Sequence, residues 1–115
     1  MAVVGRVLIL AREEVIAALL GLMVELRGFE PSFLQQSESV EEAVQRERPD
    51  AVVIDCDHPD YSETLVEVIR QIDSIPILFS PFRMQSEVRA VAARHGARSF
   101  TLPTDPDTFG KMLDL

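Results

Sequence analysis

Apolar positions along the chain fall into short unbroken runs, separated by stretches with helical spacing. Val7-Leu8-Ile9-Leu10, Ala51-Val52-Val53-Ile54 and Ile75-Pro76-Ile77-Leu78-Phe79 lack the alternation of a half-exposed strand. Runs of this length mark strands buried on both faces. Two weaker runs, over 29–34 and 97–102, mix polar and apolar residues. Pro31 in the first of them cannot donate to a ladder, which puts that strand at an edge. Between the runs the period changes to that of helices. Residues 13–27 carry Val15, Ile16, Leu19, Leu20, Leu22, Met23 and Leu26 as a wide apolar face, with Glu13 and Glu14 at the start and Gly28 at the end. A short helix over 39–46 has Ser39 as cap and Glu42 three residues on. A third, over 62–72, spaces Leu65, Val68, Ile69 and Ile72. A fourth, over 86–95, carries Val88, Val91 and Ala92 before Gly96. The last, over 106–115, opens at Asp105-Pro106 and turns Phe109, Met112 and Leu113 inward.

Five repeats of strand and helix imply an α/β fold, a parallel sheet with helices on both faces. Right-handed crossovers leave few topologies. With the three continuous runs interior and the two mixed runs at the edges, the order is 2-1-3-4-5, a flavodoxin-like doubly wound sheet. The first and last helices then share one face. Residues 1–115 form one domain, without linker or low-complexity stretch.

Composition narrows the function. The chain has 115 residues, 47% hydrophobic and 26% charged, with a net charge of −8. That balance excludes disorder and speaks against nucleic acid and anionic membrane as partners, since both need clustered Lys and Arg. Cys56 is the only cysteine, so no intrachain disulfide forms and a reducing cytoplasm fits best. The apolar start is too short for a signal peptide and is followed by Arg12-Glu13-Glu14.

In an open parallel sheet, chemistry gathers at the carboxyl ends of the strands. Here these are Ala11–Glu14, the loop from Asp55 to Asp60, Ser80-Pro81 and Leu102-Pro103-Thr104. A strand ending Val53-Ile54-Asp55 with Pro59 four residues on resembles the phosphoacceptor strand of response-regulator receiver domains in two-component signalling. Gly96-Ala97, Phe100, Pro103 and Asp105-Pro106 resemble the end of that family, and the segment from Val7 to Phe29 matches its first unit in length. The likeness spans nearly the whole chain. It implies that Asp55 is equivalent to the phosphoacceptor and that Phe100 is the aromatic that changes rotamer on activation, although packing in the core or at the edge suits Phe100 equally.

The departures from that family carry more information. Receivers hold Mg²⁺ with two acidic residues after strand one; here Ala11 and Arg12 stand there. Their Lys before the last-strand Pro is Leu102 here, and the single Lys of the chain is Lys111. Ser80 is the candidate for their Ser/Thr at the end of strand four, one residue short in spacing from Pro76. The pocket is therefore Ala11, Arg12, Ser80 and Leu102 around Asp55. The Arg12 guanidinium is expected against Asp55, in place of the metal. Glu13 and Glu14 suit a helix N-terminus better than a metal, and Asp57, His58 and Asp60 suit a polar loop better than a metal cluster. His95 falls in a helix's last turn, and Cys56 is a small buried thiol. Phe82 and Met84, after strand four, either meet a partner or tuck against the fourth helix.

These residues predict a signalling module that binds protein and is not an enzyme, working without phosphorylation, cofactor or metal. A working receiver phosphorylated on Asp55 is the alternative. A flavin or cobalamin domain is disfavoured, because the loop after strand one is neither Gly-rich nor hydroxyl-rich. The partner is a protein or an output domain, and a homodimer would form through helix four, strand five and helix five, where Arg89, Arg94, Arg98 and Lys111 accompany Phe100, Phe109 and Met112. The last helix is short for the family, which fits a domain cut from a longer protein.

Overall fold

The computed structural model describes residues 5–81 and 83–113. Its elements are β1 (Arg6–Leu10), α1 (Glu14–Leu26), β2 (Glu30–Phe33), α2 (Val40–Glu47), β3 (Ala51–Asp55), α3 (Glu63–Gln71), β4 (Ile75–Phe79), α4 (Gln85–Arg94), β5 (Arg98–Ser99) and α5 (Pro106–Lys111). The strands lie in the order β2-β1-β3-β4-β5, and every pairing is parallel. This is the flavodoxin-like order that the runs predict.

Alternate side chains of each strand point to opposite faces, so the continuous runs fill two cores at once. Val7, Ile9, Val53, Ile77 and Phe79 face α1 and α5, which add Leu20, Met23, Val24 and Phe109, with Leu113 just beyond α5. Leu8, Leu10, Val52, Ile54 and Leu78 face α2, α3 and α4, which add Val44, Leu65, Ile69, Val88 and Ala92. The first and last helices thus share one face.

Local chemistry sets the helix ends. Ser39 caps α2 by accepting the Glu42 amide, and Ser62 caps α3 by accepting that of Leu65. Asp105 caps α5 through the Thr108 amide, at 2.8 Å, with Pro106 at the first helical position. Gly28 and Gly96, with φ of +88° and +61°, turn the chain out of α1 and α4 in the left-handed region.

Four expectations are corrected. The fifth strand has two residues rather than six. After Ser99 the Phe100 amide still reaches the Leu78 carbonyl at 3.1 Å, but its ring turns into the core and the ladder ends. The second strand is likewise trimmed to Glu30–Phe33. The apolar face of α1 is in fact two faces. Leu20, Gly21, Met23 and Val24 are buried against the sheet, while Val15, Leu19, Leu22 and Leu26 point outward. In α3, likewise, Leu65, Val66 and Ile69 are buried but Val68 and Ile72 are exposed.

Candidate functional site

Asp55 ends β3 and is fully buried. Its carboxylate accepts the Arg12 amide on Oδ2 at 3.1 Å and the Asp57 amide on Oδ1 at 2.8 Å. The loops after β1 and β3 are therefore tied to Asp55 through backbone N–H groups. Both oxygens being satisfied explains how a carboxylate is tolerated at such depth.

Arg12 meets Asp55 only through this backbone bond. Its side chain is exposed and forms no ion pair with Asp55, which corrects the expected guanidinium contact. Because the amide is the group turned toward the carboxylate, the side chain is left facing solvent.

Another cation stands at the pocket. Arg83, in the β4–α4 loop, places Nε 3.3 Å from Asp57 Oδ1 and donates from Nη2 to the Cys56 carbonyl at 3.2 Å. Its backbone amide donates to Ser80 Oγ at 2.9 Å, and the Ser80 hydroxyl donates to Asp57 Oδ2. Asp57, Ser80 and Arg83 thus link the β3–α3 loop to the β4–α4 loop across the mouth of the pocket. Arg83 carries no sequence motif of its own, although it lies three residues beyond Ser80 in a loop that the topology already marks.

The remaining predicted residues line this end of the sheet without adding polar groups. Ala11 and Leu102 are half-buried against the core that α1 and α5 share. Cys56 is buried, and burial pushes its thiol up to about 11, so it is neither ionised nor nucleophilic at neutral pH. The Phe100 ring stacks on Phe79 with centroids 5.0 Å apart and meets Phe109 edge-on at 5.1 Å. It therefore sits inward. Met84 is exposed, and Phe82 lies outside the described residues.

A divalent cation does not fit this pocket. Mg²⁺ requires several oxygen ligands at short range. Here a methyl group stands at residue 11, Asp55 is occupied by two amides, and Asp57 is held by Arg83 and Ser80. Among the described residues no group of three His, Cys, Asp or Glu could hold a metal ion. His58 Nδ1 instead accepts the Asp60 amide at 3.1 Å. Beside the pocket a shallow groove of about 350 Å³ runs between α1 and β2, walled by Ala11, Ala17, Ala18, Phe33 and Leu34 with Glu14 and His58. It lacks the Gly and hydroxyl residues that cradle a phosphate.

A second polar cluster joins α3 to α4. His95, at the end of α4, places Nδ1 2.6 Å from Glu67 and Nε2 2.5 Å from Glu63. Arg94 reaches Glu63 at 3.1 Å, and Arg70 lies 3.7 Å from Glu67. The hydrogen bonds to Glu67 and Glu63 raise the His95 pKa, and the bond from His95 lowers that of Glu63. The helix-end position of His95 was legible in the sequence; its two carboxylate partners were not.

The surface expected for a partner also changes character. Phe100 and Phe109 are buried, Arg94 is engaged with Glu63, and Arg98 donates to the Met112 carbonyl at 2.7 Å. What α4, β5 and α5 expose is charge, with little apolar area at its centre.

Among the described residues no helix is long and apolar enough to cross a membrane. Sequence comparison finds no matching family model and no similar curated protein. Solved structures do resemble the chain. A response regulator from Thermotoga maritima is similar over 96% of this chain and 95% of its own, with 17% identity and a TM-score of 0.79. A CheY-like response regulator receiver domain protein from Methanospirillum hungatei is similar over 96% of this chain and 91% of its own, with 17% identity and a TM-score of 0.75. A chemotaxis protein from Vibrio cholerae is similar over 96% and 97%, with 16% identity and a TM-score of 0.77. The chain has the fold of the response-regulator receiver domains.

Proposed function

We propose that the chain is a signal-transduction module of receiver fold that acts by binding protein and is not switched by phosphorylation. One observation carries this reading: Arg83, Ser80 and Asp57 bridge the two loops over Asp55, while both Asp55 oxygens already accept backbone amides. A phosphoryl group on Asp55 would have to displace these amides. It would find no Lys at Leu102 and no carboxylate at residues 11 and 12 to hold its metal. The loops that would respond to such a group are instead held in one arrangement by a cation of the chain itself.

The partner is a protein, either separate or an output domain. The α4, β5 and α5 face suits a charged contact through Arg89 and Lys111. A homodimer through that face loses support, because Phe100 and Phe109 are inside. A cytoplasmic site of action goes with the lone buried thiol of Cys56.

The test is treatment with a small phospho-donor and Mg²⁺, followed by intact-mass measurement. The expected result is no added phosphoryl group on the wild type. Arg83→Ala, which opens the bridge without restoring metal ligands, should also stay unlabelled. A phosphoryl group that appears on the wild type and disappears in Asp55→Asn would establish the working receiver instead.

A further inference from the structure

The outer face of α1 is the largest departure of this molecule from an ordinary soluble surface. Residues 15–24 contain no charged or polar side chain. One side of the helix packs on the sheet; on the other, Val15, Leu19, Leu22 and Leu26 are 80%, 45%, 55% and 66% exposed. A helix that is apolar all round belongs in an interior. Scattered exposed leucines need no explanation, but four in one line do. Their spacing of four, three and four residues makes a straight seam along the helix, the pattern that packs one helix against a like helix.

We infer that α1 pairs with α1 of a second copy, in parallel, to form a homodimer. Charge selects the direction. Glu14 and Glu25 lie along one edge of the seam, and the other edge carries no acidic side chain; Arg27 turns across to α5, where its side chain lies against Gly110. A two-fold axis along the helix sets the acidic edge of one copy against the edge of its mate that lacks acidic residues. The antiparallel alternative sets acidic edge against acidic edge and brings Glu14 within about one turn of its mate's Glu25, where like charges repel. The seam lies opposite the buried face of α1, so the two sheets fall on opposite sides of the helix pair and do not collide.

Area sets the expected strength. The four side chains expose roughly 400 Å² per copy, the scale of patches that mark interaction sites. Two such faces remove roughly 800 Å², below the range of tight complexes. The dimer should therefore be concentration-dependent, with a dissociation constant on the order of tens of micromolar. It does not depend on whether Asp55 is phosphorylated.

Sedimentation of the purified chain from about 5 to about 500 μM spans that constant. Wild type should pass from monomer to dimer. Leu22→Glu should remain monomeric throughout with an unchanged melting temperature, since that side chain makes no core contact. Orientation is read by mild oxidation. Leu22→Cys should link to itself in a parallel pair, with the buried Cys56 out of reach. A wild type that stays monomeric at the highest concentration, including one whose α1 binds only a helix of another protein, overturns the inference. Assembly beyond the dimer, or an undiminished dimer in Leu22→Glu, does the same. Linkage only between Leu19→Cys and Leu22→Cys overturns the parallel arrangement.

Discussion

The pocket at the carboxyl end of the sheet and the outer face of α1 are opposites. In the pocket, the Asp55 and Asp57 carboxylates each have partners, and a cation of the chain closes the mouth. On α1, four large apolar side chains have no cover. One region has its interactions satisfied and the other does not. Binding free energy is therefore available on α1 and largely spent in the pocket. A ligand for the pocket must first break charge-assisted hydrogen bonds, whereas a partner for α1 only has to remove apolar surface from water. With the pocket closed in this way, the outer side of α1 carries the uncovered apolar surface.

Substitutions on the two regions test this contrast. The largest effect should come from the inner side of α1. Leu20→Ala, at a fully buried position, should lose about 2–5 kcal/mol in urea unfolding, against about 0.5 kcal/mol or less for Leu22→Ala in the monomer. Equal losses would mean that the two sides of α1 are not distinct.

Next is Asp55→Asn, which sets an NH₂ group against one of the two amides that the carboxylate now accepts. The expected loss is about 1–3 kcal/mol, the cost of leaving a buried donor unpaired. A more stable Asp55→Asn would instead reveal a pocket of mutually repelling carboxylates, like that of a metal-binding receiver.

Arg83→Ala should cost less, about 1 kcal/mol for a half-exposed pair. The same substitution at Arg12, whose side chain contacts nothing in the pocket, should stay within about 0.5 kcal/mol. A double-mutant cycle of Arg83→Ala with Asp57→Asn should return most of the Arg83 effect as coupling. Coupling between Arg12 and Asp55 in its place would restore the earlier expectation.

The smallest effect is a change in the pH dependence of melting at the α3–α4 link. His95 has a raised pKa, so its contribution is complete below the ordinary value of 6.5 and is lost as pH rises through the raised one. Glu63 has a lowered pKa, so its contribution is present above 4.5 and fades as pH falls through the lowered one. The link with Glu63, Glu67, Arg70 and Arg94 should thus be firmest between these values. His95→Gln should remove the loss on the alkaline side and reduce that on the acid side to the part that Arg94 maintains. An unchanged profile would show that the imidazole pairs with Glu67 and Glu63 contribute nothing.

Sequence alone determined the sheet and its order. Three unbroken apolar runs can be satisfied only as strands covered on both faces, and the helical spacing between them requires right-handed crossovers. The cap at Ser39 and the opening of α5 at Asp105-Pro106 were legible because capping is a contact between residues three apart. The position of Asp55 followed from the topology, which gathers strand ends at one side. Only the tertiary structure decided which cation closes the pocket. Arg12 and Arg83 are equally basic in sequence, and their roles separate because the amide of Arg12, and not its side chain, faces Asp55, while the β4–α4 loop carries Arg83 across to Asp57. It also decided that α1 has an uncovered face. Helical periodicity reports which residues share a side, but not whether anything packs against it; a helix docked on a sheet by Leu20, Met23 and Val24 has its remaining leucines directed into solvent.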